Sequence, residues 1–312
     1  MSTIGFDTSN YTTSTAWTDG KTDINVRQIL YVKDGERGIR QSDGVFQHMK
    51  LMPVMYEKLS EQIDFKDVKA VGVSTRPRCV EGSYMPVFLA GEGYAKVVAN
   101  TLGVTLYEFS HQDGHIMAGI YSSGSFELLE KDFISVHLSG GTTEILKSRY
   151  NGFNFDNEIV GGSKDISAGQ FIDRVGVKMG LHFPAGKALE QLALKTEKGE
   201  KLPIAADGAY MNFSGVETKA SRMAESEKCD KSALALGVLE NVRDTLVKTI
   251  NKAMTDTNTH RVLIVGGVAS NGIIRNGLTK KLDGDVYFAK AEYSTDNAVG
   301  TAYLAHMAHK EA

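Results

Sequence analysis

The feature that most restricts the fold of this chain is a pattern of strands and turns that occurs twice. In the first copy, an apolar strand at residues 3–6 runs into a polar turn at 7–10, and further extended stretches follow as far as residue 32. In the second copy, a strand at 133–138 runs into a turn at 139–143 and again continues in extended stretches. One copy opens each half of the chain, which indicates an internally duplicated architecture.

Elsewhere the sequence alternates apolar strands with stretches of helical periodicity, which predicts an α/β protein. The main predicted helices are 44–62, interrupted at Pro53, 163–180 and 232–254. Residues 209–218 have the composition of a loop. We therefore expect two α/β lobes, residues 1–124 and 125–312, with a last helix at 297–312 that packs back on the first lobe.

The composition is that of an ordinary globular protein, with 42% hydrophobic and 23% charged residues. The formal net charge of -3 argues against binding of nucleic acid by this chain alone, because phosphate contacts need clustered lysine and arginine. Two cysteines are too few for a disulfide framework or a cysteine zinc site. The sequence has no signal-peptide pattern and no apolar run approaching about 18 residues, so we expect a cytoplasmic protein with no membrane association.

Two histidines four residues apart, His111 and His115, are candidate metal ligands. They open a predicted helix, where residues at this spacing lie on one face and can bind one metal ion, although the same spacing also arises by chance. The pair is not a zinc-peptidase motif, because Gln112 stands where the general base of that motif would be. Asp113 is expected to point about 200° away from the first histidine. A metal site needs a third ligand, and Asp296, which precedes the last helix, is the natural one.

Three turns rich in glycine or hydroxyl residues follow predicted strands. Turns 7–10 and 139–143 occupy equivalent places in the two copies, and 266–271 joins a strand to a helix through two glycines. Backbone N–H groups in such turns bind anions such as phosphate, while either hairpin turn alone is more typical of a plain loop. Asn271 can hydrogen-bond a ribose or the edge of a base.

Seven motifs, in their order and spacing, resemble the TsaD/Gcp family, once called O-sialoglycoprotein endopeptidases. They are His-Gln-Asp-Gly-His (111–115), Ser-Gly-Gly-Thr (139–142), Gln-Phe-Ile-Asp (170–173), Pro-Ala-Gly (184–186), Phe-Ser-Gly-Val-Glu-Thr (213–218), Gly-Gly-Val-Ala-Ser-Asn (266–271) and Ser-Thr-Asp-Asn (294–297). Several motifs in order are far more specific than one, and the likeness extends along nearly the whole chain. It implies the actin-like, Hsp70-like and sugar-kinase-like fold of two duplicated α/β lobes, in agreement with the repeat.

The resemblance also implies an acyltransferase activity. Members of the family transfer a threonylcarbamoyl group from threonylcarbamoyl-AMP to N6 of the tRNA adenosine 3′ of the anticodon. The implied ligands of a catalytic iron or zinc ion are His111, His115 and Asp296. The implied substrate-binding residues are His137 and Leu138, the phosphate loop Ser139, Gly140 and Gly141, and the adenosine-binding residues Asp173, Gly186 and Asn271. The implied partners are a TsaB-like paralogue, a TsaE-like ATPase and the acceptor tRNA.

Several positions depart from the family pattern and leave the acceptor open. Asp113 replaces a glutamate, Thr142 and Glu144 replace a histidine and a glutamine, and Thr-Arg-Pro-Arg at 75–78 replaces Gly-Pro-Gly. The two arginines of that segment can contact a phosphate or a substrate carboxylate, or they can form a merely charged surface loop. The alternatives for function are a paralogue that transfers a carbamoyl-type group to another acceptor, and a non-catalytic scaffold that binds nucleotide and metal. A kinase of the same fold is disfavoured, because paired imidazoles do not suit magnesium.

Overall fold

The computed structural model describes residues 1–9, 11–32 and 39–312. Asn10, the last residue of the first predicted turn, lies outside the described residues. The chain divides into two compact units. Unit 1 comprises Met1–Phe126, Tyr150–Asp156 and Thr295–Ala312, and unit 2 comprises Glu127–Arg149 and Asn157–Ser294. Within the described ranges, no helix combines the length and the apolar character that crossing a membrane requires.

The described ranges contain twelve strands and nine α-helices, numbered in chain order. The strands are β1 (Ser2–Asp7), β2 (Thr12–Thr18), β3 (Asp23–Ile29), β4 (Val68–Arg76), β5 (Thr105–Ser110), β6 (Phe133–Leu138), β7 (Thr143–Tyr150), β8 (Phe155–Ser163), β9 (Ala206–Asp207), β10 (Tyr210–Met211), β11 (Arg261–Val265) and β12 (Asp285–Phe288). The α-helices are α1 (Gln41–Ser60), α2 (Phe88–Leu102), α3 (His111–Ser123), α4 (Ala168–Lys178), α5 (Gly186–Ala193), α6 (Ser214–Ala224), α7 (Lys231–Thr257), α8 (Gly272–Lys281) and α9 (Val299–Glu311).

Unit 1 is built on a sheet with the strand order β3-β2-β1-β4-β5. Strand β1 runs antiparallel to β2 and parallel to β4, which in turn runs parallel to β5. Apolar side chains of β1 and β4 form a core with helices α1 and α2, and the cluster includes Ile4, Phe6, Val71, Met52 and Ala95. Helix α9 packs against β1 and β4. Because β1, β4 and β5 are parallel, the residues at their carboxyl ends lie along one edge of the sheet.

Unit 2 is built on a second sheet, in which the order β8-β7-β6-β11-β12 repeats the order of unit 1. Strand β6 takes the place of β1, since it runs antiparallel to β7 and parallel to β11. Strands β10 and β9 extend the sheet beyond β8. The duplication that the sequence predicts is therefore confirmed by the strand order.

Helix α1 continues through Pro53, so the predicted interruption is wrong. A proline inside a helix lacks the N–H that would bond the carbonyl four residues earlier. Here that carbonyl belongs to Met49, and the hydroxyl of Tyr94 on α2 donates a hydrogen bond to it at 3.0 Å. A partner distant in sequence thus satisfies the backbone group that the proline leaves unpaired.

The predicted loop at 209–218 is also wrong in part, because helix α6 begins at Ser214. Its first N–H groups are capped by Asp165, which lies before α4 in the chain. The carboxylate of Asp165 accepts hydrogen bonds from the backbone N–H groups of Phe213 at 2.8 Å and Ser214 at 3.0 Å. Burial by itself would raise the pKa of Asp165, but these bonds and those from the Ser214 hydroxyl and the Ile166 N–H outweigh it and lower the pKa to about 2.

Replacing Asp165 with alanine is expected to lower the free energy of unfolding by about 1 kcal/mol at neutral pH, the lower part of the range for a cap because water screens this exposed carboxylate. A depressed native pKa stabilises the fold above the unfolded value of 3.8, and this contribution is lost as the pH falls toward about 2. Urea unfolding at several pH values should therefore show that the deficit of the variant shrinks across this window. The control is Asp207→Ala, whose side chain is 90% exposed. An Asp165→Ala deficit independent of pH would contradict the assignment.

Candidate functional site

Helix α3 places its two histidines at a fixed position after β5. The hydroxyl of Ser110 accepts a hydrogen bond from the N–H of Asp113 at 3.1 Å, and the Asp113 carboxylate accepts one from the N–H of Ser110 at 3.1 Å. This reciprocal capping box makes His111 the first residue of the helix. His111 and His115 then lie on one face, with their ring centroids 4.3 Å apart. Asp113 therefore fixes the start of the helix from a buried position.

Asp296 lies beside both histidines, in the segment that precedes α9. Its Oδ1 atom is 3.3 Å from Nε2 of His115 and 3.6 Å from Nε2 of His111. The segment is held by two hydrogen bonds: Arg27 donates to the backbone oxygen of Asp296 at 3.2 Å, and the N–H of Ala298 donates to the Ser14 hydroxyl at 2.9 Å. One potential ligand atom from each of the three residues lies within 4.8 Å of the others. The structure thus brings together, inside unit 1, the three residues predicted to bind metal.

A fourth residue, Asp7 at the carboxyl end of β1, orients the first histidine. Its Oδ2 atom is 2.7 Å from Nδ1 of His111, and its Oδ1 atom accepts a hydrogen bond from the N–H of Ser9 at 2.8 Å. The side chain is 1% exposed. A carboxylate on Nδ1 leaves Nε2 as the ligand atom, as is usual for metal-binding histidines. Sequence reasoning missed this role, although the position of Asp7 at the end of a strand parallel to β4 was a usable signal.

The charges in this cluster favour a bound cation. Burial would lower the pKa of His111, but the carboxylates of Asp7 and Asp296 outweigh it and raise the pKa to about 10. Burial would likewise raise the pKa of Asp296, but hydrogen bonds and charge from the two histidines hold it well below its usual range. The buried carboxylate of Asp7 and the partly exposed carboxylate of Asp296 thus stabilise positive charge among the imidazoles. A set of two imidazoles and one carboxylate suits iron or zinc better than magnesium or calcium.

In unit 2, the predicted phosphate loop is a tight turn between β6 and β7. The Ser139 hydroxyl accepts hydrogen bonds from the N–H groups of Gly141 at 3.3 Å and Thr142 at 3.0 Å. The carbonyl of Gly140 accepts one at 2.8 Å from the hydroxyl of Ser167, the residue that caps α4. A side chain added at either glycine would meet no atom within 4 Å, so the turn faces open space.

Two further predicted residues, His137 and Leu138, lie at the end of β6 and lead into this turn. Leu138 is buried in the core, so a substrate would meet its backbone and not its side chain. Gly266, at the end of β11, lies directly against Leu138, since a Cβ at Gly266 would be 2.2 Å from the Leu138 carbonyl oxygen. The φ of Gly266, 102°, also favours glycine at this position. The turn after β11 is thereby held against the end of β6.

Hydrogen bonds join the elements that carry the predicted adenosine-binding residues. Asp173 on α4 accepts one from the N–H of Ala185 at 2.8 Å, just before α5 begins at Gly186. Burial raises the pKa of the Asp173 carboxyl despite this bond. Glu190 on α5 accepts a short bond from the N–H of Gly272, at 2.6 Å.

Asn271 caps α8 by accepting a hydrogen bond from the N–H of Ile274 at 3.1 Å. It is therefore next to Gly272, the residue that Glu190 holds. Asp173, Gly186 and Asn271 thus belong to one connected set of elements within unit 2. Sequence reasoning missed Glu190, which follows Gly186 by one helical turn and so lies on the same face of α5.

The family model for tRNA N6-adenosine threonylcarbamoyltransferase, TsaD, matches residues 37–303 of this chain. The tRNA N6-adenosine threonylcarbamoyltransferases of two Thermus thermophilus strains are similar to it along their length. Each is 30% identical, one over 99% of this chain and 94% of its own sequence, the other over 98% and 92%.

Solved structures of more distant proteins are similar in fold. The activator of the 2-hydroxyisocaproyl-CoA dehydratase from Clostridium difficile superposes with a TM-score of 0.57 at 15% identity, covering 100% of this chain and 97% of its own. A ROK family glucokinase from Streptomyces griseus gives a TM-score of 0.54 at 12% identity, covering 99% and 100%. At such identities the likeness shows the fold alone, and it confirms the predicted actin-like and sugar-kinase-like architecture of two duplicated α/β lobes.

Proposed function

The chain belongs to the TsaD family of tRNA N6-adenosine threonylcarbamoyltransferases, and from that premise we propose that it transfers a threonylcarbamoyl group from threonylcarbamoyl-AMP to N6 of the tRNA adenosine 3′ of the anticodon. The observation that carries the proposal is the cluster of His111, His115 and Asp296, supported by the buried Asp7. A scaffold that only binds partners would not need a metal triad in which a buried carboxylate orients one of the ligands. The intact cluster therefore favours a catalytic member of the family.

Iron or zinc would be held by His111, His115 and Asp296. When bound, such an ion polarises a carbonyl oxygen and stabilises the negative charge that develops there. Asp7 contributes by fixing the ring of His111, so that its Nε2 atom stays beside Asp296. The four side chains supply a preorganised set of donors, which avoids the cost of assembling them when the substrate binds.

The nucleotide part of the donor is assigned to unit 2. The turn at Gly140 and Gly141 faces open space, which suits the phosphate of threonylcarbamoyl-AMP, because a backbone N–H such as that of Gly140 stabilises negative charge without titrating. The carboxylate of Asp173 and the amide of Asn271 suit the hydroxyl groups of the ribose. In this proposal, these residues bind and orient the nucleotide part of the donor.

The transfer exchanges one bond for another. The N6 amine attacks the carbamoyl carbon, a C–N bond forms, and the bond from that carbon to the phosphate oxygen of AMP breaks. N6 loses a proton, and AMP leaves with the electron pair of the broken bond. Binding of the phosphate by backbone N–H groups assists this step, because the leaving group gains negative charge as the bond breaks.

We further propose that productive binding of tRNA needs partner subunits, namely a TsaB-like paralogue and a TsaE-like ATPase. A chain with a net charge of -3 has little general attraction for a polyanion. Tight binding of tRNA by the isolated chain at physiological salt would contradict this.

The experiment that tests the proposed function measures AMP released from threonylcarbamoyl-AMP in the presence of the partners. We expect release to depend on tRNA, and to fall to the level without tRNA when the acceptor adenosine is replaced by guanosine, which has no N6 amine. Equal release with both tRNAs would point to another acceptor or to plain hydrolysis.

A further inference from the structure

A loop with two arginines lies against the first turn of the metal-bearing helix. Arg76, the last residue of β4, pairs in register with Ser110, the cap of α3. The next residue, Pro77, accepts a hydrogen bond through its carbonyl from the N–H of Gln112 at 3.1 Å. Because Gln112 follows His111 directly, the loop is anchored beside a predicted metal ligand.

The charge of Arg76 is not used in a salt bridge within the described parts of the chain. Its guanidinium donates to the Thr75 hydroxyl at 3.1 Å and approaches the Cys79 sulfur at 3.7 Å. Other arginines behave differently: Arg149 is 3.0 Å from Asp132, and Arg243 is 2.9 Å from Asp244. Arg76 therefore keeps a charge that can attract an external anion, while the same charge also acts on the buried Asp113 carboxylate.

The surroundings of the loop add to its positive character. Arg78 is half-buried, and its backbone N–H donates to the Ser83 hydroxyl at 3.0 Å, which fixes the backbone of the loop. The positive end of the α3 dipole lies at the same place. The acidic group of the helix turn, Asp113, is 0% exposed, so it does not present its charge to a ligand at the surface.

We propose that Arg76 and Arg78 contact backbone phosphates of the acceptor tRNA beside the metal-bearing helix. The inference rests on the proposed function and adds the part of the substrate that unit 1 contacts. Arginine suits this role, because its planar guanidinium matches the oxygens of a phosphodiester and such contacts position a nucleic acid without reading its sequence. In a chain of net charge -3, positive charge beside α3 supplies local attraction that the protein as a whole lacks.

The test is the salt dependence of tRNA binding by the full chain together with the partner subunits, measured by fluorescence anisotropy between about 20 mM and about 200 mM KCl. Removal of two phosphate contacts in Arg76→Ala/Arg78→Ala should reduce the slope of log affinity against log salt by about 1.4, and weaken binding at low salt about tenfold. In each single variant, the slope should fall by about half of that reduction. Arg76→Lys should keep most of the slope, because it keeps the charge. The control is Arg222→Ala, an exposed arginine on α6.

Arg78→Ala keeps the proposal testable if loss of Arg76 disturbs the cap of α3, and the metal content of each variant shows whether the helix is intact. An unchanged slope in the double variant would overturn the proposal, as would the absence of any binding by the unaltered protein with its partner subunits at about 20 mM KCl. A rise in KM for threonylcarbamoyl-AMP with an unchanged tRNA slope would also overturn it, and would assign the arginines to the donor carboxylate. These readouts measure binding, so they separate failure of this inference from failure of the proposed chemistry.

Discussion

Asp296→Ala is expected to abolish stoichiometric metal binding and to lower the rate of threonylcarbamoyl transfer by about a thousandfold or more, because a metal contributes several kcal/mol to such a transition state. The carboxylate is the one acidic member of the triad, and its Oδ1 atom lies within 3.6 Å of both imidazole nitrogens. Metal content by plasma mass spectrometry and transfer of radiolabelled threonylcarbamoyl to tRNA are the two measurements. The metal content and the amount of transferred threonylcarbamoyl should fall together.

Asp7→Asn provides a graded comparison for this result. It leaves the three ligands in place and weakens only the group that orients His111, for which a loss of about 10-fold to 100-fold in metal affinity is expected. Asp207→Ala, on the exposed surface of unit 2, should change neither property. If Asp296→Ala retained one metal ion per chain, the assignment of the triad would be wrong.

Gly300→Ala is expected to destabilise unit 1 by about 3 kcal/mol and to disturb the metal site in the same step. Helices α3 and α9 cross here at very close range: a Cβ at Gly300 would lie 1.9 Å from the backbone oxygen of Gly114 and 2.7 Å from the N atom of Ala118. These are backbone atoms, so no side chain can swing aside. The helices must separate, which moves the segment of Asp296 away from His115.

Gly93→Ala is the matched control for this substitution. Gly93 lies within α2, and a Cβ there would meet no atom within 4 Å, so alanine should stabilise the helix by about 0.5–1 kcal/mol. Urea unfolding and metal content are measured for both variants. A Gly300→Ala protein as stable and as metal-rich as the wild type would show that the helices do not approach each other this closely.

Local sequence patterns predicted much of the candidate metal site. His111 and His115 could be paired from their spacing, because a helix places residues four apart on one face. Asp296 was predicted as the third ligand from its place before the last helix, and the likeness to a family supported it, although no local pattern connects it with the histidines. Asp7 was missed as a partner of His111 because their contact depends on the strand order β1-β4-β5, and strand order is decided by packing between distant segments.

The errors in secondary structure have the same cause. Pro53 predicts a break in α1, because the sequence does not show that Tyr94 donates a hydrogen bond to the Met49 carbonyl. The start of α6 is predicted as a loop, because the sequence does not show that Asp165 caps this helix. In both places a side chain far along the chain satisfies a backbone group, so the local sequence lacks the signal. The duplicated pattern of strands needed no such partner, because alternating apolar strands and turns are local features.

The most direct test of the proposed function is mass spectrometry of the nucleosides in unmodified tRNA after incubation with this protein, threonylcarbamoyl-AMP and the partner subunits. We predict that threonylcarbamoyladenosine appears with the unaltered protein and is absent with Asp296→Ala. If no threonylcarbamoyladenosine formed while the unaltered protein still bound AMP and one metal ion, the proposed transfer to tRNA would be contradicted, and the search would turn to another acceptor.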